Sequence, residues 1–223
     1  FKQKTAYEML RSLVGSEMCI RDRVKRVNPD NRTGLGKNND IVIVGYHAKY
    51  AGDFAALNYQ WIREFFVIEP EDRAALDHPE AYAIENGGEI FFVLECSNGR
   101  EEVVGTAAMV PKKVPEKVRN DVPKIVLEKG IKTPEQSDVA IEVYELAKMA
   151  VLPNRQGEGL GQLLLQHCID FARLRRGKKI ILTTNDVLKP ALAVYHKLGF
   201  RDLLVNPDDR YERGNLAMVL DLD

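Results

Sequence analysis

The run Val151-Leu152-Pro153-Asn154-Arg155-Gln156-Gly157-Glu158-Gly159-Leu160-Gly161-Gln162 leaves an apolar segment, sets glycines at three alternate positions and enters a leucine-rich stretch. Glycine costs backbone entropy, so such a cluster marks a place where φ turns positive or where something comes close to the main chain. Two readings follow. One is a tight strand-to-helix turn. The other is a phosphate cradle, in which unpaired N–H groups and the positive end of a helix dipole hold an anion. In the second reading Arg155 adds a cation beside the loop; in the first it is a solvated surface side chain. A Walker-type loop needs Gly-Lys-[Ser/Thr], whereas Gly161 is followed by Gln162 and Leu163, so that class is excluded. A dinucleotide fold needs G-x-G-x-x-G with an acid about 20 residues on. Here the spacing is G-x-G-x-G, Asp186 comes late, and a hairpin pattern precedes the loop. His167 and Cys168 fall on the apolar side of the following helix pattern, and the scattered histidines have no metal-ligand spacing, so no metal is expected.

The elements that must position this loop can be read from hydrophobic period. Ile41–His47 is a short β-branched run that suits a buried strand. Phe54, Leu57, Trp61, Ile62 and Phe65 recur at helical spacing, with Asp53 as the expected cap. Residues 69–88 read as one or two short helices closed by Gly87 and Gly88. Glu89–Ser97 and Arg100–Val110 flank Asn98-Gly99, a dipeptide that favours a type I′ hairpin turn. Residues 111–139 are charged, hold four prolines and read as an inserted excursion with a short helix near Lys124–Glu128. Ile141–Val151 returns to strand, where simple alternation puts Glu145 on a face with Val143, Ala147 and Met149. After the glycine loop, Leu160, Leu163, Leu164, Phe171 and Leu174 form one helix face, with cations and Gly177 at its end. A strand at residues 179–185, a helix with Pro190 in its first turn and Gly199 as its stop, and two closing strands complete the order.

The chain has 223 residues, 45% of them hydrophobic, enough to bury one good core. Nothing approaches the run of about 18 apolar residues that a membrane helix needs. Lys plus Arg number 32 against 33 Asp plus Glu, so there is no basic excess to drive binding to nucleic acid or anionic lipid, and neither is expected as a partner. Residues 1–23 resemble the translation of two standard sequencing-library adapters, in the order a library molecule carries them, and are set aside from fold and targeting arguments. Setting them aside leaves a net charge of −3 and the cysteines Cys96 and Cys168, too few for a disulfide framework, which favours a reduced, cytoplasmic chain. No Met occurs from residue 24 until Met109, so the natural start is expected to lie outside this sequence, and whether an upstream domain lies there with it is left open. Residues 24–40 are polar, lack hydrophobic period and read as a linker or tail, with residues 41–223 forming one domain.

The Q-x-x-G-x-G loop Gln156–Gly161, followed by "ALAVYHKLGF", resembles the GNAT superfamily of N-acetyltransferases over residues 41–223, through "ELAKMAVLPNRQGEGLGQ" and "NDVLKPALAVYHKLGF". The excursion at 111–139 is longer than the connection usual there. The resemblance implies an α/β (α+β) fold with a mixed, mostly antiparallel sheet flanked by helices; the oligomeric state is left open, with a homodimer as the option considered. It implies acetyl-CoA as co-substrate, held by the loop residues Arg155, Gln156, Gly157, Glu158, Gly159, Leu160, Gly161 and Gln162. The backbone amides of Met149 and Val151 would grip the pantetheine arm, with Asn185 as a further contact. It also implies Tyr195 as the acid that protonates the leaving thiolate and Glu145 as the base that takes the amine proton. An alkylamine of pKa about 10.4 is neutral at pH 7 roughly once in 2,500, a deficit of about 4.6 kcal/mol that such a base must relieve. Tyr195 can equally be a packing residue and Glu145 a structural carboxylate paired with a cation. The expected activity is transfer of an acetyl group, through a tetrahedral intermediate, to the primary amine of a small molecule such as an amino acid or polyamine. A non-catalytic acyl-CoA-binding module, or the acetyltransferase half of a regulator lacking its DNA-binding domain, are the alternatives.

Overall fold

In the computed structural model the described residues are 25–27, 40–112, 143–203 and 213–222. The segment 1–23 and the helix expected near Lys124–Glu128 lie outside them. The strands are β1 (Lys25–Val27), β2 (Asp40–Val44), β3 (Glu89–Ser97), β4 (Arg100–Lys112), β5 (Val143–Val151), β6 (Lys179–Thr184), β7 (Arg201–Leu203) and β8 (Leu216–Asp221). They form one sheet in the order β1-β2-β3-β4-β5-β6-β8-β7. Every neighbouring pair is antiparallel except β5 and β6. The mixed, mostly antiparallel sheet expected from the sequence is therefore present. One correction falls on the linker at 24–40: Lys25–Val27 pairs with β2, Arg26 opposite Val42. A sheet edge offers unpaired backbone donors and acceptors, which a short polar segment can satisfy without any hydrophobic pattern.

Among the described residues four α-helices cover the two faces: α1 (Ala51–Phe65), α2 (Pro70–Leu76), α3 (Leu160–Leu174) and α4 (Lys189–Lys197). On one face Phe91, Val93 and Met109 of the sheet meet Leu164, Leu165 and Cys168 of α3. On the other Ile90, Phe92 and Ala108 meet Phe54 and Ile62 of α1 and Leu76 of α2. Each such fully buried large side chain contributes about 1.5–3 kcal/mol relative to exposure. Both faces are covered, which is why β2 and β3 read as continuous apolar runs rather than as alternating ones.

Local signals hold in most places. Asn98 and Gly99 take φ of 50° and 74°, the double positive φ of a type I′ turn. Helix α1 differs at its start: it begins at Ala51, after a 3₁₀ turn Ala48–Tyr50 in which His47 Nδ1 accepts from Lys49 N at 3.1 Å. Asp53 is thus not the cap but lies inside the first turn, where its charge faces the positive helix end. At the end of α3 the left-handed residue is Arg176, with φ of 58°, while Gly177 is needed for space. A Cβ at Gly177 would lie 3.0 Å from the ring of Tyr144.

Candidate active site

The site begins at an irregularity in β5. Thr106 of β4 faces Ala150, but Ala108 faces Ala147, so two steps along β4 match three along β5. The extra residue is a β-bulge, and Lys148 takes φ of 50° within it. Simple alternation from Glu145 through Ala147 to Met149 is therefore wrong. Glu145 lies opposite Val110, on the face covered by α1 and α2, whereas Met149 and Val151 pack with the α3 core.

The bulge has a second effect. Strands β5 and β6 pair only at Val143, Tyr144 and Glu145, opposite Lys179, Ile180 and Ile181, and then part. Leu152 N donates to Val104 O of β4 at 2.9 Å. Because strand donors alternate between edges, the amides of Val151 and Met149 point the other way, along the edge that β6 has left. The gap is a cleft of about 730 Å³, walled by Met149 and Val151 on one side, Leu182 and Thr184 on the other, and Val194 and Tyr195 of α4.

At one end of the cleft stands the glycine loop. Gly157 and Gly159 take φ of 84° and 82°, and no heavy atom lies within 4 Å of where their Cβ atoms would be. The turn reading is thus correct for the backbone, and the same turn leaves open space beside it. Gly161 differs: a Cβ there would make ordinary contacts with Met149 and Val151, at 3.6 and 3.8 Å. Gly159 caps α3 without a side chain, and the first intrahelical bond runs from Leu163 N to Gly159 O at 3.0 Å. The amides of Leu160, Gly161 and Gln162 thus precede the ladder and have no side-chain cap. Gln156 donates its carboxamide to Val151 O at 3.3 Å, tying the loop to the end of β5.

Arg155 neither extends into solvent nor stands unpaired at the loop. It donates from Nη1 to Glu95 Oε2 at 2.6 Å and from Nε to both oxygens of Glu158 at 3.0 Å. Glu158, expected to touch ligand, is occupied by this contact. Asn185 lines the cleft wall, but its carboxamide donates to Arg213 O at 2.6 Å and accepts from Val187 N at 3.0 Å. It joins the end of β6 to the segment before β8 and to the approach to α4.

Tyr195 is 9% exposed, and its ring packs 5.8 Å from that of Phe200. Burial, with a smaller contribution from neighbouring Cys168, pushes its hydroxyl up to about 12. It is both a core residue and a wall of the cleft. Glu145 also reaches the cleft, buried, with Lys112 Nζ 2.5 Å from its Oε2. His167 packs edge-on to Phe91 at 4.6 Å and Cys168 is fully buried, as the helix pattern predicts.

At Lys148 in the bulge the structure assembles a group that no sequence motif announces. Fully buried Asp72 of α2 accepts from Lys148 Nζ at 2.6 Å and from Arg213 Nη2 and Nη1 at 2.6 and 2.8 Å. Arg213 also reaches Glu69 Oε1 at 2.9 Å. Burial alone would push the Asp72 carboxyl up, but the hydrogen bonds from Arg213 and Lys148 more than offset it and hold the carboxyl below its ordinary value. Burial pulls Lys148 below the usual lysine range, against the opposing pull of Asp72. The one sequence signal is a lysine inside a mostly apolar strand; Asp72 and Arg213 are 141 positions apart.

Comparison with known proteins bears on the family and the fold. The model of the acetyltransferase (GNAT) family matches residues 55–200, well over half of the chain. A 50-residue stretch is 38% identical to streptothricin acetyltransferase of Streptomyces lavendulae, covering 22% of this chain and 26% of that protein. The match thus spans about a quarter of that curated relative. A GNAT-family acetyltransferase from Staphylococcus aureus Mu50 has a TM-score of 0.61 at 18% identity, over 82% of this chain and 99% of that one. The acetyltransferase of Streptococcus agalactiae 2603 gives 0.58 at 20% identity, over 82% and 98%. The yncA protein of Salmonella typhimurium, solved with its cofactor acetyl-CoA, gives 0.54 at 18% identity, over 82% and 94%. At these identities the structures speak for the fold, and the family model speaks for descent: the chain belongs to the GNAT family of acetyltransferases.

Proposed function

We propose that this protein transfers the acetyl group of acetyl-CoA to the primary amine of a small molecule. The observation that carries the reading is the parting of β5 from β6 beyond Glu145, which turns the amides of Met149 and Val151 into a cleft that ends at the glycine loop. The donor set fits an elongated ligand with a polyanionic end. The amides of Met149 and Val151 would hold an amide-bearing arm in strand fashion, and those of Leu160, Gly161 and Gln162 would hold a pyrophosphate, with open space beside Gly157 and Gly159. When bound, the cofactor supplies the acetyl group as an activated thioester.

The residues of the chain then divide the proton work. Tyr195, on the wall of the cleft and protonated throughout the neutral range, donates its hydroxyl proton to the departing sulfur. Glu145, reaching the same cleft from β5, accepts the proton of the amine directly or through a water. The contact with Lys112 favours a second reading of Glu145, as a carboxylate that fixes the end of β4 against β5. For the acceptor, the relative named for streptothricin supports an amine-bearing small molecule. Cys96 and Cys168 are unpaired, which supports a reducing compartment such as the cytoplasm. We assign the catalytic unit to residues 41–223.

A thiol-release assay with acetyl-CoA across a library of primary amines tests the proposal. Turnover with at least one amine is the expected result. Tight CoA binding without release of thiol from any amine would make the protein a binding module instead.

A further inference from the structure

We infer that Arg155 is a positioning residue that braces the glycine loop, and that it does not contact the phosphates of the ligand. The inference rests on the reading of that loop as a pyrophosphate cradle. Each of the three guanidinium nitrogens lies within 3.0 Å of a carboxylate oxygen: Nη1 on Glu95, and Nε and Nη2 on Glu158. The group is enclosed, with the side chains of Arg155 and Glu95 only 12% and 13% exposed. Among the described residues this cluster sets one cation between two carboxylates, so the Arg155 charge is already matched and is not held free for a phosphate ligand. In this arrangement the main-chain N–H groups at the start of α3 attract the anion, and the ion pairs hold those groups in place.

The geometry shows what is held. Glu95 belongs to β3, paired in register with Ile41 and Glu102 inside the sheet, and so is a fixed anchor. Arg155 ends the 3₁₀ turn Pro153–Arg155, and Glu158 stands between the two glycines that take positive φ. The chain Glu95–Arg155–Glu158 thus runs from the rigid sheet to the middle of a segment rich in glycine, the residue type that gives a loop most freedom. Pre-setting such a loop removes ordering entropy that a ligand would otherwise have to supply.

Bracing and direct phosphate contact predict opposite signs for Glu95→Ala. Removing a carboxylate beside a polyanion strengthens binding if Arg155 is a ligand, because the guanidinium is released and a repulsive charge is lost. If Arg155 is a brace, the same change loosens the loop, and the dissociation constant for CoA measured by calorimetry rises about three- to tenfold. Amide hydrogen exchange on the ligand-free protein supplies the second reading. Exchange at the hydrogen-bonded amides of Arg155, Gln156 and Leu163 should accelerate in the variant, while the β3 and β4 amides stay at wild-type rates. Equal or tighter CoA binding by Glu95→Ala, or unchanged exchange in the loop, overturns the inference. Should the wild-type protein not bind CoA, the pyrophosphate assignment falls, and the exchange measurement alone decides whether Arg155 braces the loop.

Discussion

Lys112 Nζ lies 2.5 Å from Glu145 Oε2, an ion pair that joins the last residue of β4 to the third residue of β5 directly below the point where β6 departs. The residue assigned as base is thus also the residue that closes the sheet beside the cleft. The pH profile separates these roles.

If Glu145 takes the amine proton, Glu145→Gln should lower kcat/KM about 10²- to 10⁴-fold near neutral pH and regain rate as pH rises and the amine deprotonates unaided. Lys112→Met, which removes the cation and leaves the carboxylate, should keep most of the wild-type rate near neutral pH. An overlay of the Glu145→Gln profile on the wild type makes Glu145 structural.

Gly159→Asp should weaken CoA binding at least about tenfold, or about 1.4 kcal/mol. The new carboxylate would stand at the cap of α3, in space that is now open, and would oppose an anion there. Gly159→Asn has the same shape without the charge and tolerates positive φ better than most residues. Calorimetry should rank wild type, Asn and Asp in order of falling affinity. Equal affinity for all three, in folded variants, would reduce the glycine to a requirement of the turn.

Much of this architecture was legible in the chain because it is written in local pattern. The period of Phe54, Leu57, Trp61 and Ile62, the Asn98-Gly99 turn and the glycine loop each declare themselves within a few residues. What could not be read depends on one residue of register or on long separations. The bulge at Lys148 reverses the faces of Met149 and Val151, and nothing in an apolar strand marks where an extra residue will fall. The ion pair of Arg155 is not legible because its partner Glu95 is 60 positions away. Asp72, within a short charged helix, is buried against Lys148 from the bulge and Arg213 from the segment before β8, partners that no local pattern announces.

That buried group predicts a pH-dependent stability. The folded-state carboxyl of Asp72 lies below its unfolded value, so its contribution is present above the unfolded pKa of about 3.8 and is lost as pH falls through the lower folded value. Asp72→Asn leaves Lys148 and Arg213 short of a counter-charge and should cost about 3–5 kcal/mol near neutral pH. Urea denaturation should show this deficit at neutral pH and a smaller one in strong acid, where the wild-type carboxyl is protonated too. A constant deficit at both would mean that the shape of the side chain, rather than its charge, is what matters.

The last prediction concerns Tyr195, whose packing and chemistry can be separated by removing one atom. Tyr195→Phe keeps the ring against Phe200 and within the core shared with α3, so folding and CoA affinity should survive. If the hydroxyl protonates the leaving sulfur, kcat should fall about 10²- to 10⁴-fold, the usual worth of general acid catalysis. The raised pKa of about 12 adds a condition on the wild type: its hydroxyl stays protonated well past pH 9, so loss of the acid cannot produce an alkaline limb there. Any decline at that pH must come from another group and should persist in the residual activity of Tyr195→Phe. Wild-type turnover in the variant would leave water as the proton source and Tyr195 as a packing residue alone.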